Sequence, residues 1–183
     1  MSSVDYQAII DRYYPHGSRC REILQRHSEQ VAAKAEGIAR ELHMPVDIEQ
    51  VRAAAMLHDI GIHLTNAPGI DCHGKEAYLR HGILGAALLR TEGAPEWAAR
   101  VAERHTGAGI SVDDIRALHL PLPERDLMPE TLLERLVCYA DKFFSKSGDM
   151  QEKSLDRVRA SMLKHSPETL TRFEALHREF HHE

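Results

Sequence analysis

Hydrophobic residues recur along this chain every three or four positions, which is the period of an amphipathic helix. The alternation of apolar and polar positions that is typical of strands is absent, so the pattern predicts an all-α protein. Turn formers and helix caps divide the pattern into helices over 4–14, 18–43, 47–59, 76–92, 95–106, 130–145, 151–165 and 166–182, with a short helix over 112–118.

Two irregular stretches interrupt the helices, at 62–75 and 107–129, and both are rich in turn-forming residues. Loops of this length inside a small domain are usually functional, so we expect both to contribute to a site. Gly61 precedes the first loop and is predicted to end its helix as a glycine C-cap. No repeat or linker divides the chain, so we expect one domain over 1–183.

Composition narrows the classes of protein that the chain can belong to. Its 183 residues can bury a core of their own, and a net charge of −5 disfavours a general nucleic-acid or anionic-membrane binder. The three cysteines (Cys20, Cys72 and Cys138) form no CxxC pair, which predicts free thiols in a reducing compartment. No signal-peptide profile and no apolar run of about 20 residues is present, so we expect a soluble, cytoplasmic protein.

Histidine is unusually frequent, with 13 residues, and several histidines continue the apolar stripes of predicted helices. In the helix over 18–43, Val31 and Ala35 lie on a stripe that leads back by one turn to His27. Five predicted helices continue their apolar stripe to a histidine or an aspartate in this way, and Asp59 directly follows one of these histidines. The six candidate ligands are His27, His58, Asp59, His81, His105 and Asp141.

Each of these residues alone has an ordinary structural explanation, as a core histidine bonded to the backbone or an aspartate in a cap or ion pair. Together they would need five separate buried partners, whereas one shared divalent cation site would satisfy them all. Imidazole and carboxylate ligands favour Fe, Mn, Zn, Co or Ni over Mg or Ca. We therefore expect one or two divalent transition-metal ions.

The order of these residues resembles a known signature. His27, the pair His58-Asp59 and Asp141 resemble the H…HD…D pattern of the HD superfamily of metal-dependent phosphohydrolases, and residues 58–61 read HDIG. The resemblance spans about 20–145, with the helices over 151–182 appended. It implies an HD-domain helical bundle with two long functional loops.

His81 and His105 resemble the extra histidines of the binuclear branch, which includes bacterial symmetrical diadenosine tetraphosphatases. That resemblance implies a first ion, commonly iron, on His27, His58 and Asp141, a second ion on His81 and His105, and Asp59 as the bridge. The segments IHLTNAPGIDCHG and DKFFSKS depart from those tetraphosphatases. Uncharacterised HDIG-domain proteins are more similar, so the substrate does not transfer.

The implied activity is phosphohydrolysis, in which metal-bound hydroxide attacks a phosphomonoester or phosphoanhydride, with a nucleotide as the expected small-molecule substrate. Asp59 and Lys142 are assigned catalytic roles, since phosphate chemistry needs fixed charge beside the metals. The candidate substrate contacts are Lys142, Lys146, Arg80, Arg104 and His63. For most of these side chains a solvent-exposed position is the competing interpretation.

Two other functions are compatible with the same residues. Some HD relatives use this ligand set as mixed-valence di-iron oxygenases, and degenerate HD domains serve as non-catalytic regulatory modules. The apolar stripe of the last predicted helix could pack on the core or form a homodimer; it comprises Leu170, Phe173, Leu176 and Phe180. His177, His181 and His182 are predicted to face solvent or a partner.

Overall fold

The computed structural model describes residues 4–181, which form a helical bundle with one small hairpin. The helices of this region are α1 (Tyr6–Tyr13), α2 (Arg19–Glu41), α3 (Ile48–Leu57), α4 (His81–Thr91), α5 (Glu96–Arg104), α6 (Val112–Ala117), α7 (Leu132–Asp141), α8 (Leu155–His165) and α9 (Pro167–Phe180). The hairpin pairs β1 (Asn66–Ala67) with β2 (Cys72–His73) in antiparallel register. The predicted all-α class is confirmed.

Helix starts follow the capping residues that the sequence indicates. The side chains of Ser18, Asp47 and Ser166 accept hydrogen bonds from first-turn amides of α2, α3 and α9. Thr131 begins α7 with a capping box in which Glu134 bonds back to the cap amide. These caps satisfy amides that the helices leave without partners, and they fix where each helix enters the core.

The core forms where α7 packs between its neighbours. Helix α2 packs along α3, α4 packs along α5, and α7 contacts α2, α3, α5 and α9. Val31, Leu57, Leu136 and Val137 are completely buried at these contacts. Burial of such apolar side chains provides the main free energy of folding, and it brings the ends of several helices to one place.

Several predicted helix boundaries were wrong, and the differences coincide with candidate metal ligands. The helix expected to continue through residue 59 ends at Leu57, with His58 as its C-cap. The helix expected from residue 76 begins at His81 after a 3₁₀ turn, and the helix expected to reach residue 145 ends at Asp141. At His58 and His81 the imidazole bonds to a backbone carbonyl, as described below, and competes with further helical bonding.

Gly61 does not have the conformation that was predicted. Its φ is −85°, so it is not a left-handed helix stop. A Cβ atom at this position would instead collide with the backbone carbonyl of His81 and the backbone of Gly85. Gly61 is therefore needed for close packing, because it lets the start of α4 approach the turn that follows α3.

The C-terminal helices complete the same bundle. Phe173, Leu176 and Phe180 are buried, and two of these rings lie against Tyr139 of α7. The stripe therefore packs on the chain's own core, with its fourth residue, Leu170, partly buried against it. His177 was predicted to be exposed, but its Nδ1 lies 2.9 Å from the Tyr139 hydroxyl. His182 lies outside the described residues.

The two loops contain more regular secondary structure than predicted. The stretch 62–75 contains the hairpin, and the stretch 107–129 contains α6 as expected, held by pairing between Ile110 and Leu127. Among residues 4–181, no helix combines the length and apolarity that a membrane crossing requires.

Candidate metal centre

All six predicted ligand residues meet in the interior of the bundle. His27 comes from the middle of α2, while the others lie at helix ends or in the turn after α3. Each residue is at most 8 % exposed, and this applies to His27, His58, Asp59, His81, His105 and Asp141. Charged and polar groups buried to this degree require partners, so their mutual arrangement is informative.

One group of four residues surrounds a common point. His27 Nε2 lies 2.9 Å from Asp141 Oδ1 and 3.2 Å from Asp59 Oδ2. His58 Nε2 lies 3.1 Å from Asp59 Oδ2 and 3.4 Å from Asp141 Oδ1. Two imidazole nitrogens therefore alternate with two carboxylate oxygens around one small space.

A second group of three residues shares Asp59 with the first. His81 Nε2 and His105 Nε2 are 3.0 Å apart, and they lie 3.4 Å and 3.3 Å from Asp59 Oδ1. Asp59 thus presents Oδ2 to the first group and Oδ1 to the second. This is the arrangement of a carboxylate that can bridge two cations.

Backbone contacts fix the orientation of three of the imidazoles. The Nδ1 atoms of His58, His81 and His105 lie 2.6–2.7 Å from the carbonyl oxygens of Ala55, Tyr78 and Ala102, each three residues earlier in the chain. Each Nδ1 donates its proton there, so in the neutral ring Nε2 is left with a lone pair. Bonding of the second ring nitrogen is typical of metal-binding histidines.

The donor set fits a metal better than it fits the protein alone. Neutral His81 and His105 would direct two lone pairs at each other across 3.0 Å. His58 Nε2 and Asp59 Oδ1 are buried without a hydrogen-bond partner among the described residues. Two ligand atoms about 2.1 Å from one ion, at about 90–110° to each other, lie about 3.0–3.4 Å apart. The spacings in both groups match that range.

The buried groups of the centre have pKa values that are shifted in opposite directions. Burial disfavours the charged form of His58, but Asp59 and Asp141 outweigh it and raise the pKa of His58 to about 9. Burial lowers the pKa of His81 to about 3 and also lowers that of His105. Burial opposes the charge of Asp59, yet Lys146 and His58 hold its pKa well below the usual range. The carboxylates are therefore anionic at neutral pH.

A cavity of about 470 Å³ opens beside the cluster, and its wall includes Asp141, Lys142 and Lys146. Lys142 Nζ lies 2.7 Å from Asp141 Oδ2 and donates to the carbonyl of His105. Lys146 Nζ lies 2.6 Å from Asp59 Oδ2. The two lysines proposed from the sequence thus reach the cluster directly.

The other three predicted substrate contacts lie elsewhere. Arg80 pairs with Glu76, and Arg104 binds the carbonyl of Met128 and the carboxylate of Glu130. His63 contacts Tyr14 and lines a separate cavity. None of the three belongs to the described lining of the cavity beside the cluster. They were selected because they adjoin ligands or the motif, yet neighbouring helical positions point about 100° apart.

Sequence reasoning missed other residues of the cavity wall. They are Tyr78, Gly107, Phe144, Ser145, Ser147, Lys153, Met162 and His165, together with Ala67, Gly69 and Ile70 of the hairpin. Lys153 reaches the wall because its amide bonds to the carbonyl of Phe143 at 2.8 Å and folds 142–153 back on itself. The run Ser145-Lys146-Ser147 was the one available signal, since phosphate sites commonly combine lysine with hydroxyl groups.

The sequence profile of the HD domain family matches residues 24–145 of this chain, a segment that contains all six clustered residues. The chain belongs to the HD domain family. The resemblance inferred from the HDIG motif is thereby confirmed, whereas membership of the binuclear branch remains a proposal.

Curated relatives of this HD domain protein are longer than it is. It is 35 % identical over 149 residues to the tRNA (cytidine(56)-2'-O)-methyltransferase of Thermoplasma volcanium, covering 81 % of this chain and 38 % of that protein. It is 45 % identical over 96 residues to uncharacterized protein MJ0778 of Methanocaldococcus jannaschii, covering 52 % of this chain and 49 % of that protein. The chain thus spans less than half the length of these relatives.

Solved structures show the same fold. The HD domain of the L. monocytogenes phosphodiesterase PgpH superposes with a TM-score of 0.56 at 15 % identity, covering 94 % of each chain. The same HD domain in complex with cyclic-di-AMP superposes with a TM-score of 0.54 at 16 % identity, covering 98 % of this chain and 99 % of that one. At this level of identity the likeness establishes the HD-domain helical fold.

Proposed function

We propose that this HD domain protein is a metal-dependent phosphohydrolase that cleaves a phosphomonoester or phosphoanhydride of a nucleotide. The observation that carries the proposal is the pair of ligand groups that share Asp59 beside a lysine-lined cavity. Membership of the HD family supports a hydrolase of phosphate esters. The name of the similar PgpH domain, a phosphodiesterase crystallised with cyclic-di-AMP, is in line with a nucleotide substrate.

The proposed centre holds two divalent transition-metal ions. His27, His58 and Asp141 would hold one ion, His81 and His105 the other, and Asp59 would contact both. Nitrogen and carboxylate donors suit Fe, Mn, Zn, Co or Ni, and the resemblance to the binuclear branch implies iron. When bound, the ions would lower the pKa of water and offset charge on the phosphoryl group.

The two lysines have different tasks in this proposal. Lys142 already binds both Asp141 and the carbonyl of His105, so it holds those two ligands in place. Lys146 is 13 % exposed and contacts Asp59 from the cavity side, so its remaining N–H groups can bind a phosphoryl oxygen. Fixed positive charge at that point stabilises the negative charge that develops during phosphoryl transfer.

The lining of the cavity supports a nucleotide rather than inorganic phosphate as the substrate. Lys153 adds a third ammonium group to the wall. Burial lowers the pKa of Lys153, and the nearby positive charges of Lys142 and Lys146 lower it further. Tyr78, Phe144 and Ile70 provide apolar surface in the same space. Such a wall can contact a base or ribose while the lysines hold the phosphate.

The test is a phosphohydrolase screen of protein loaded anaerobically with Fe²⁺ or Mn²⁺, using nucleoside mono- and diphosphates and cyclic dinucleotides. We expect release of phosphate or nucleotide product, and a kcat/KM about 10-fold lower in Lys146→Met. Lys75→Met is the matched control, since Lys75 is an exposed lysine outside the cavity. Failure of every substrate with a fully metal-loaded protein would refute the proposal.

The same ligand arrangement is compatible with a mixed-valence di-iron oxygenase. A hydrolase turns over under argon, whereas an oxygenase requires O₂, so anaerobic turnover separates the two. The three lysines of the cavity favour the hydrolase. A non-catalytic regulatory module predicts missing ligands, and the cluster retains all six.

The methyltransferase-named relatives are compatible with this proposal. The chain covers 38 % and 40 % of the Thermoplasma volcanium and Picrophilus torridus proteins of that name. We infer that the shared portion is the HD domain, and that the methyl transfer named for those proteins belongs to the remainder of their chains.

A further inference from the structure

Two cysteines that are 52 positions apart in the sequence lie side by side in the fold. The Sγ atoms of Cys20 and Cys72 are 3.0 Å apart. Both side chains are buried, Cys20 with 8 % and Cys72 with 1 % exposed. Neither residue belongs to the metal cluster, and nothing in the proposed phosphohydrolase reaction uses them.

Different segments hold the two thiols in place. Cys20 lies in the first turn of α2, two residues after the Ser18 cap. Cys72 begins β2, where it pairs with Ala67 in the hairpin and follows Asp71, whose φ is +58°. The left-handed residue turns the chain so that Cys72 faces the start of α2. The sulfur contact therefore joins the hairpin to the bundle.

We propose that Cys20 and Cys72 form a reversible intramolecular disulfide, which makes this pair a redox modification site. A disulfide bond is about 2.05 Å long, so the sulfur atoms need to approach by only about 1 Å. The anchored positions of both segments mean that little chain entropy remains to be lost when the bond forms in the folded protein.

A second cavity gives an oxidant access to the two thiols. This cavity has a volume of about 200 Å³ and is lined by Cys20, Cys72, His63 and Tyr14 among others. The oxidant is a small-molecule disulfide such as oxidised glutathione. The separate cavity allows the reaction to occur without entry to the metal cluster.

The thiol–disulfide exchange proceeds in two steps. The Cys20 thiolate attacks one sulfur of the small disulfide, forms a mixed disulfide and expels one thiolate. The Cys72 thiolate then attacks the Cys20 sulfur and expels the second small thiol, so that two protein protons and two electrons end on two released thiols. Cys20 is the first nucleophile because it is more exposed and because the hydrogen bond from Cys72 lowers its pKa.

The bond would act on the wall of the proposed substrate cavity. Ala67, Gly69 and Ile70 of the hairpin line that cavity, and α2 also carries His27. Oxidation would tie these two parts together through a loop of 52 residues. In the chain-entropy description this raises the Tm by about 8–16 °C.

The test equilibrates the full-length protein in glutathione buffers of rising oxidised fraction and then labels thiols with N-ethylmaleimide under denaturing conditions. We expect the number of labelled thiols to fall from three to one. Peptide mapping should recover a Cys20–Cys72 cross-link, and dithiothreitol should reverse it. Because the cross-link is read from the wild-type chain, the result does not depend on any variant folding.

Variants give matched controls. Cys138 is completely buried and bonds to the carbonyls of His105 and Gly107, so Cys138→Ser should leave the cross-link unchanged. Cys20→Ser and Cys72→Ser should each abolish both the cross-link and the rise in Tm. The proposal is overturned if three thiols stay labelled throughout, if Cys138 is the residue that oxidises, or if the bond forms only between chains.

Discussion

Two buried carboxylates in this protein, Glu103 and Asp59, have opposite surroundings. Glu103 is 4 % exposed, and it accepts hydrogen bonds from Arg125 at 2.6 Å and Arg90 at 3.3 Å. Asp59 is completely buried, and the atoms around it are four imidazole nitrogens and the ammonium of Lys146.

The difference shows how a structural carboxylate can be distinguished from a metal-binding one. Guanidinium groups bring charge and directed donors, so the protein itself neutralises Glu103. Three of the imidazoles around Asp59 use their Nδ1 protons on backbone carbonyls, so in the neutral form they direct Nε2 lone pairs towards it, and the ammonium of Lys146 contacts Oδ2. Buried polar atoms need partners, and those of Asp59 are best supplied by cations from solution.

The largest expected effect follows from removing the charge of Asp59. Asp59→Asn should abolish binding of both ions and reduce phosphohydrolase activity by at least about 10³-fold, because one carboxylate serves both groups. Metal content and kcat/KM are the measurements. Retention of both ions by this variant would contradict the bridging assignment.

Glu103→Gln should show the reverse pattern. It should lower the free energy of unfolding by about 1–3 kcal/mol, a range that allows for the partly exposed arginines, and leave metal content unchanged. Denaturant unfolding and elemental analysis provide the two readouts. If this variant lost metal while keeping its stability, the two carboxylates could not be distinguished in this way.

Lys146→Met should have a smaller effect on the same centre than Asp59→Asn. We expect kcat/KM to fall about 10-fold while both ions remain, because the lysine contacts Asp59 from the cavity and replaces no ligand. Activity of the metal-loaded variant beside Lys75→Met measures this. Equal activity of the two variants would remove Lys146 from the reaction.

The smallest expected effect is the pH dependence of the stability that Glu103 contributes. Burial opposes the charge of Glu103, but Arg125 and Arg90 lower its pKa below 4.5. The stability that this group contributes is therefore complete above about pH 4.5 and is lost as the pH falls through the folded-state pKa. The difference in Tm between wild type and Glu103→Gln should stay constant from pH 7 to 5 and shrink towards pH 3. A difference unchanged at pH 3 would contradict this.

Helical phase was enough to predict the cluster, because periodicity fixes the direction of side chains on a helix relative to its apolar face. His27 and Asp141 could be identified in this way from their own helices. The ion pairs of Glu103 could not be predicted in the same way. Glu103 lies on α5, but its partners Arg90 and Arg125 come from other segments, and no local pattern indicates them.

Other features depend on tertiary contacts that no local pattern encodes. Gly61 is required by the approach of α4, and a sequence cannot distinguish this from a glycine with positive φ. Lys153 reaches the cavity through one backbone bond to Phe143, and Cys20 meets Cys72 through the hairpin. These contacts join segments whose relative position is set only by the complete fold.

Elemental analysis of protein purified without added metal tests the central claim most directly. We predict about two transition-metal ions per chain in the wild type and about one in His81→Ala. His16→Gln is the matched control and should keep both, since the His16 side chain is 77 % exposed. A single ion in the wild type that His81→Ala leaves unchanged would contradict the binuclear centre, and a metal-free wild type that gains no ion on reconstitution would contradict the metal site altogether.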